Sequence, residues 1–308
     1  MTAPAMPMGR RITGRAEAGR RLVANRKVLA GVALLAFFCL LALSHPLLQS
    51  TVWAGRSGLY DPQTGYDATI AHPSGPSVGH LLGTDSLGRD VASLLTFAVT
   101  PTLLVALTVA TTVGLSSTLA GGAAAYFRKR VDRWLTHLAD ALVLLPPPIA
   151  LLVVGIGRPD FGPIELGLLY GLLYGLGPAA IVVRSRALTV MQKPFMQAAR
   201  VAGGGPGWII ATHLVPHLLP YAAVQMMAGV TGALITQGFI EFFGAAETRI
   251  GLGSLVYLGL TYQSFLSTAV AWTQLLAGAL SISLMAASFY LVSVGLREAV
   301  DPRLQAEG

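Results

Sequence analysis

The side chains that could carry out chemistry in this chain are few and scattered. His213 and His217 stand four residues apart, the spacing that places two metal ligands on one face of a helix. The zinc pattern H-E-x-x-H needs a glutamate directly after its first histidine, and Leu214 stands there instead. Ser254 could be a nucleophile only with a nearby base, and every histidine of the chain precedes it in sequence. The residues therefore predict no metal site and no catalytic residue.

A phosphate-binding loop is also missing from the sequence. The pattern G-x4-G-K-[ST] does not occur, and the glycines at 203–205 are followed by Pro206 without a lysine that could reach a phosphate. We therefore expect no cofactor in this chain. If ATP drives the protein, a different chain must bind it.

Three polar side chains inside apolar stretches are candidates for a translocation path. They are Asp140, Gln237 and Glu241. Burying an acidic side chain at membrane depth costs free energy, so a functional role is the default hypothesis for such a residue. Asp140 lies near the inner end of one apolar stretch and Glu241 near the outer end of another. A position at the membrane interface would explain both acids as well, so the two interpretations stay open.

The elements that must position these residues are membrane helices. The chain has 308 residues, of which 54% are hydrophobic and 11% charged, whereas soluble domains carry about 25% charged residues. Six stretches lack charged residues and approach or exceed the roughly 20 residues that cross a bilayer as helix. They are continuous rather than alternating, which excludes barrel strands. The sequence predicts an all-α integral membrane protein with about six transmembrane helices.

The basic residues orient these helices. We place the spans at 28–48, 98–126, 135–157, 164–183, 221–243 and 268–295. With a cytoplasmic N-terminus, 17 of the 21 basic residues fall inside and 4 outside, as the positive-inside rule requires. Membrane orientation thus explains the net charge of +7, and we expect no nucleic-acid partner. The predicted regions are a cytoplasmic tail 1–27, a first helix 28–48, an extracytoplasmic loop 49–97, a five-helix core 98–295 with a cytoplasmic loop 184–220, and a cytoplasmic tail 296–308.

The cytoplasmic loop 184–220 predicts a short helix, a sharp turn and a second helix. Pro194 suits the first turn of a helix, where its missing N–H costs nothing. Gly203 and the residues up to Pro206 end that helix, because glycine caps helices and proline cannot continue one.

Small side chains on this short helix indicate a contact surface. Ala198, Ala199 and Ala202 lie on one face, which would let the helix sit in the cleft of a partner protein. Lys193 and Arg200 would equally suit a helix that rests on anionic lipid headgroups. The residues alone leave both alternatives open.

The same loop resembles the signature E-A-A-x3-G-x9-I-x-L-P of permease subunits of ABC importers. The positions that carry the resemblance are Gln197, Ala198, Ala199, Gly203, His213, Val215 and Pro216. Four of them match outright, whereas Gln197, His213 and Val215 replace Glu, Ile and Leu. In that family the loop holds the coupling helix, which docks into the ATP-hydrolysing subunit.

A second resemblance lies at the end of the outer loop. The stretch 82–91 is similar to L-G-T-D-x-L-G-R-D-V of the dipeptide/oligopeptide/nickel permease family, in the subunit type usually encoded second. Its site residues are Gly83, Thr84, Asp85, Gly88, Arg89 and Asp90. Asp85 can cap the following turn and Arg89 can pair with Asp85 or Asp90. We favour a structural cap over contact with a delivered substrate or a binding protein.

Three further stretches resemble the same family. They are 131–146 at the third span, 233–244 at the fifth span and 295–304 near the C-terminus. The Pro-rich Trp-Gly turn that usually follows the fifth span is absent, and Ile250 to Gly253 occupy its place.

The resemblance implies a permease of an ATP-driven importer in the bacterial cytoplasmic membrane. The implied solutes are dipeptides or oligopeptides, with nickel or another small solute of the same family as the alternative. The implied partners are a second homologous permease, cytoplasmic ATPase subunits that bind ATP and magnesium, an extracytoplasmic solute-binding protein and the lipid bilayer. The chain itself would not be an enzyme; an intramembrane enzyme is the disfavoured alternative.

Overall fold

The computed structural model describes residues 25–158, 160–243, 250–261 and 269–300. Over these ranges the regular secondary structure is helical, and strand-like pairing is confined to one isolated bridge between Thr84 and Asp90. The prediction of an all-α fold is confirmed. The predicted tail up to residue 24, the end of the fifth-span stretch at 244 and the C-terminal motif from 301 lie outside the described residues.

Twelve α-helices occur within the described ranges. They are α1 (Arg26–Ser50), α2 (Ser57–Tyr60), α3 (Val91–Phe127), α4 (Lys129–Leu144), α5 (Pro147–Gly157), α6 (Pro163–Leu176), α7 (Pro178–Met191), α8 (Pro194–Val201), α9 (Pro206–Ile209), α10 (Val215–Phe242), α11 (Leu252–Thr261) and α12 (Ala269–Val300). A π-helical turn, Ile210–Leu214, joins α9 to α10.

Four helical stretches are long and apolar enough to cross a membrane. They are α1, α3, Pro206–Phe242 and Trp272–Glu298 within α12. Two bent pairs of helices bring the number to six if each pair crosses the membrane once. Helix α4 meets α5 at 77°, and α6 meets α7 at 42°. Proline causes both breaks, because it removes a backbone N–H and pushes the preceding residue out of helical geometry. The cytoplasmic position of the N-terminus stays a prediction from the basic residues.

Helix α3 is the centre of the packing and contacts α6, α7 and α10 along its length. Gly167, Gly171 and Gly175, spaced four residues apart on α6, face α3. A Cβ atom on Gly171 would lie 2.6 Å from the Cβ of Thr112, closer than packed atoms come. This small-residue stripe lets two backbones approach, as in other membrane helix pairs.

The first and last described helices pack against each other. Lys27 and Asn25 both bind the carboxylate of Glu298, at 2.5 Å and 2.9 Å. A Cβ on Gly31 of α1 would lie 2.7 Å from the carbonyl oxygen of Ser288 on α12. The N-terminal helix is thereby fixed to the bundle.

Candidate functional site

The inner loop folds as a short helix, a glycine turn and a second helical segment. Helix α8 begins at Pro194 and ends at Val201. Gly203 has a φ of 83°, in the left-handed region that glycine adopts without strain. The chain then enters α9, the π turn and α10. Helix α8 is therefore held between two helices of the bundle, α7 and α10.

Buried apolar side chains anchor this loop to the bundle. We call them the inner core cluster, and they are Ala125, Val183, Ala187, Val190, Met191, Met196, Ile209, Leu214 and Leu218. Met196 comes from α8 and Ile209 from α9, and both are fully buried. Because both helical segments contribute, a displacement of α8 must also move the side chains of α7 and α10 that pack on it.

An open cleft of about 810 Å³ lies between α8 and the following turn. Its residues are Phe195, Ala198, Ala199, Ala202, Gly203, Gly204, Gly205, Trp208, Thr212, His213 and His217. Trp208 lies 4.7 Å from the ring of His213, and Phe195 stacks on His217 at 5.2 Å between ring centroids. The cleft is thus lined by small residues and by aromatic and imidazole rings.

The structure brings only part of the predicted coupling set to this cleft. Ala198, Ala199 and Gly203 line it, whereas Gln197 is exposed on another side of α8. Val215 and Pro216 lie at the start of α10 and do not line the cleft. The sequence analysis does not predict that the rings of Phe195, Trp208 and His217 line this cleft. The i, i+4 spacing of His213 and His217 is the one sequence feature that indicates a shared surface there.

Several apolar side chains of this loop are exposed. Val201 is 89% exposed and Trp208 is 54% exposed. Ala198 and Ala202 are exposed as well, while Ala199 packs partly against the inner core cluster. Exposed apolar side chains beside a cleft are typical of a surface that binds a partner.

The outer motif is a self-contained structural turn. The Asp85 carboxylate accepts hydrogen bonds from the backbone N–H groups of Leu87 (3.0 Å) and Arg89 (2.8 Å). Arg89 also donates from Nε (2.9 Å) and Nη2 (2.6 Å) to Asp85 Oδ2. Arg89 thus pairs with Asp85 rather than Asp90, and both partners of the pair are buried.

Asp90 joins this motif to the rest of the outer region. One carboxylate oxygen accepts from the backbone N–H of Ser93 at 2.7 Å and caps α3. The other lies 2.9 Å from Nδ1 of His80, whose Nε2 lies 3.2 Å from Asp67. Burial raises the pKa of Asp90, whereas hydrogen bonds from Thr69, with a smaller contribution from His80, lower the pKa of Asp67 to about 2. No local sequence pattern predicts the His80 bridge.

The remaining motif residues also face inward. Thr84 is fully buried, and its hydroxyl lies 2.9 Å from His72 Nδ1 and 2.9 Å from the Ser74 hydroxyl. Gly83 and Gly88 both have positive φ angles, which the tight turns around Asp85 require. The geometry therefore supports the structural interpretation of the motif.

Two of the three path candidates come together, and the third does not. Gln237 donates from Nε2 to Glu241 at 2.8 Å, and both side chains are buried. The other oxygen of Glu241 accepts from the backbone N–H groups of Gly253 (2.6 Å) and Ser254 (3.2 Å) at the start of α11. Asp140 is exposed near Arg184, at the cytoplasmic end of the fold by our orientation. Its role, like that of the pair, stays a prediction.

The close approach of α11 to Glu241 depends on glycine. A Cβ on Gly251 would lie 1.9 Å from Oε1 of Glu241. The serine considered above as a nucleophile, Ser254, donates its hydroxyl proton to the carbonyl of Gly251 at 2.6 Å. Ser254 and Glu241 therefore hold the start of α11 in place.

Comparisons with known proteins agree with the motifs. The family described as "Binding-protein-dependent transport system inner membrane component" matches residues 116–306. A putative peptide transport system permease of Brucella suis is 29% identical over 292 residues, 94% of this chain and 92% of the relative. The dipeptide transport system permease DppC of Bacillus subtilis is 28% identical, covering 94% of this chain and 86% of its own length.

A third relative extends the comparison to another bacterial group. The oligopeptide transport system permease OppC of Mycobacterium tuberculosis is 26% identical, with 92% of each chain covered. Together with the membrane-length helices, these matches identify a multi-pass transport subunit of the bacterial inner membrane rather than an enzyme. The chain belongs to the family of inner membrane components of binding-protein-dependent transport systems.

Proposed function

We propose that this chain imports dipeptides or oligopeptides as one permease of an ABC transporter, with ATPase subunits docked on α8. A second homologous permease would complete the path, and an extracytoplasmic binding protein would deliver the solute. The ATPase subunits would bind ATP and magnesium. Relatives named as peptide, dipeptide and oligopeptide permeases, aligned over nearly the whole chain, favour peptides over nickel.

The observation that carries the proposal is the open cleft beside α8. It combines small residues, rings and exposed apolar side chains on and beside α8, so a folded partner into which α8 docks can bury them. The inner core cluster beneath it connects α8 to α7 and α10. Closure of the ATPase subunits would move α8, and with it the two helices that pack on α3.

Filling the cleft should release the ATPase subunits. Ala202 is exposed, lines the cleft and packs against nothing in the inner core cluster, so Ala202→Trp should occupy the space without disturbing the fold. Ala211→Trp is the matched control, because Ala211 is exposed in the same loop and does not line the cleft. Retention of ATPase subunits on the affinity-purified transporter and uptake of a labelled tripeptide by cells are the two measurements.

We expect Ala202→Trp to reduce both measurements at least tenfold, since loss of a central interface contact commonly costs about 2 kcal/mol or more. Ala211→Trp should stay within about twofold of the wild type. Full ATPase retention and full uptake in Ala202→Trp would show that the cleft is not the docking site.

A further inference from the structure

We propose that the ion pair between Asp132 of α4 and Arg184 of α7 makes α4 move with the inner loop during the transport cycle. Arg184 is then a positioning residue, which acts through the two helices that it joins rather than by contact with the solute. The inference rests on the proposed function, since it extends the movement of α8 to a further helix of the bundle.

The two side chains meet in a fork. Arg184 donates from Nη2 to one carboxylate oxygen of Asp132 at 2.7 Å, and its Nε donates to the other oxygen. The side chains of Arg184 and Asp132 are only 30% and 23% exposed, so water screens the pair in part. Two parallel hydrogen bonds fix the orientation of the two groups as well as their distance. The pair therefore holds α4 and α7 in one relative position.

The positive-inside rule does not explain this arrangement. It accounts for a cation at the cytoplasmic end of α7, but any exposed position there would satisfy it. Arg184 is instead half-buried against an acid of another helix. Among the residues that the structure describes, no other hydrogen bond or ion pair joins a side chain of α4 to α7.

Helix α4 has little other packing that would hold it to the bundle. Of its described residues only Ala139 is buried, and Trp134 and Leu144 are 78% and 83% exposed. A small cavity of about 60 Å³ lies beside the ion pair, lined by residues of α3, α4 and α7. Close packing would make two helices move together without a polar contact. Since the packing is open here, that task falls to the ion pair.

Helix α7 leads directly to α8. It ends at Met191, and α8 begins at Pro194. Val190 and Met191 belong to the inner core cluster together with Met196 of α8. Arg184 stands about two helical turns before the end of α7. A displacement of α8 by the ATPase subunits therefore reaches Arg184 through one short, unbroken piece of helix.

Helix α4 extends this movement to α5. The two helices form the bent pair that can cross the membrane as one span. No residue of α4 or α5 belongs to the inner core cluster, so a shift of α7 does not reach them through that cluster. With the ion pair in place the crossing follows α7; without it, α7 and α8 move and the crossing stays behind.

A purely structural role of the pair predicts a different result. Loss of the pair would then lower the stability of the transporter, but each folded molecule would still transport the same amount of peptide for each ATP hydrolysed. The positioning role predicts that this ratio falls while the ATPase subunits stay bound, because α7, α8 and the cleft are intact.

The first test breaks the ion pair. Arg184→Gln removes the charge and keeps a polar side chain, and Arg158→Gln is the matched control, because Arg158 forms an exposed ion pair with Glu165 at 3.3 Å. Each transporter is reconstituted with its partner permease and ATPase subunits in lipid vesicles, with the loaded binding protein. The measurements are tripeptide transported per ATP hydrolysed, retention of the ATPase subunits and the thermal unfolding midpoint.

We expect Arg184→Gln to retain the ATPase subunits while the ratio of peptide to ATP falls at least about fivefold, the lower end of typical coupling between distant sites. Arg158→Gln should keep the wild-type ratio. A wild-type ratio in Arg184→Gln, with or without a lower midpoint, would overturn the proposal.

A reversible cross-link tests the same contact without the charges. Asp132→Cys and Arg184→Cys are combined in a background that carries Cys39→Ser, and a cleavable bifunctional thiol reagent joins the two positions. We expect a low ratio before cross-linking, the wild-type ratio after it and a low ratio again once a reductant cleaves the link. A cross-linked transporter that binds the ATPase subunits but does not transport would show that α4 and α7 must separate, which contradicts the proposal.

These outcomes are separable from failure of the proposed function. If Ala202→Trp releases the ATPase subunits while loss of the ion pair leaves the ratio unchanged, docking on α8 stands and the role of Arg184 is wrong. If Ala202→Trp leaves the subunits bound, the docking site itself is wrong and the inference about α4 falls with it.

Discussion

At the scale of single residues, the polar groups of the outer motif are buried and form hydrogen bonds with one another. Asp85 accepts bonds from two backbone N–H groups and from the Arg89 side chain, and Asp90 caps α3. A buried ion pair of this kind tolerates the loss of one partner poorly, because the other charge is left unpaired. We therefore expect changes in the motif to lower the stability of the fold, and to reduce transport only because less folded protein is present.

Replacing Asp85 by asparagine tests this. The change leaves the Arg89 guanidinium buried without a counter-charge and should destabilise the outer region by about 3 kcal/mol. Asp61→Asn is the control, since Asp61 accepts two backbone bonds in an exposed turn and an amide oxygen can replace the carboxylate there. The measurements are the thermal unfolding midpoint in detergent and tripeptide uptake per folded transporter.

We expect Asp85→Asn to lower the midpoint while uptake per folded molecule changes little. A variant with the wild-type midpoint that has lost uptake would mean that the motif contacts the binding protein or the solute.

The sequence predicts some of this residue-level chemistry and not the rest. The Asp85 cap is local, so its spacing to Leu87 and Arg89 is enough to predict it. The bridge from Asp67 through His80 to Asp90 joins positions up to 23 residues apart through tertiary folding, and no local pattern indicates it.

At the scale of elements, the close packing of α6 on α3 is set by the glycine stripe. A methyl group on Gly171 would meet the Cβ of Thr112 at 2.6 Å, and neither backbone can give way without losing other contacts. A Cβ on Gly157, by contrast, would meet nothing within 4 Å. The pair provides a matched test of helix packing.

Gly171→Ala should lower the stability of the folded transporter by about 1–3 kcal/mol, the usual cost of overpacking. Gly157→Ala should leave stability unchanged or slightly higher, since alanine favours helix. Thermal unfolding of the two purified variants in one detergent is the measurement. Equal midpoints would show that α6 and α3 are not in close contact along the stripe.

The helix boundaries include features that local sequence patterns do not predict. The second span is placed from residue 98 by apolar content, but the helix begins at Val91 because Asp90 caps it there. The prolines at 146–148 indicate a break, yet the angle of 77° between α4 and α5 depends on the helices packed around them. The sequence of the π-helical turn before α10 has no residue that distinguishes it from an ordinary α-helix.

At the scale of the whole molecule, the two regions of interest lie at opposite ends of the bundle. The cleft beside α8 follows α7, while the outer motif directly precedes α3, and α3 runs the length of the bundle between them. By our orientation the ATPase would bind at the first end and the solute would arrive at the second. Helices α7 and α10 connect the inner loop to α3, so they are the elements expected to carry movement between the ends.

ATP-driven import of peptides can be measured directly with the reconstituted transporter. The complex of this chain with its partner permease and ATPase subunits is placed in lipid vesicles with the loaded binding protein outside. Accumulation of a labelled tripeptide is then followed with ATP and magnesium on the side of α8. We predict accumulation that requires ATP and the binding protein and that Ala202→Trp abolishes. Accumulation of nickel but not peptide, or peptide entry independent of ATP, would contradict the account.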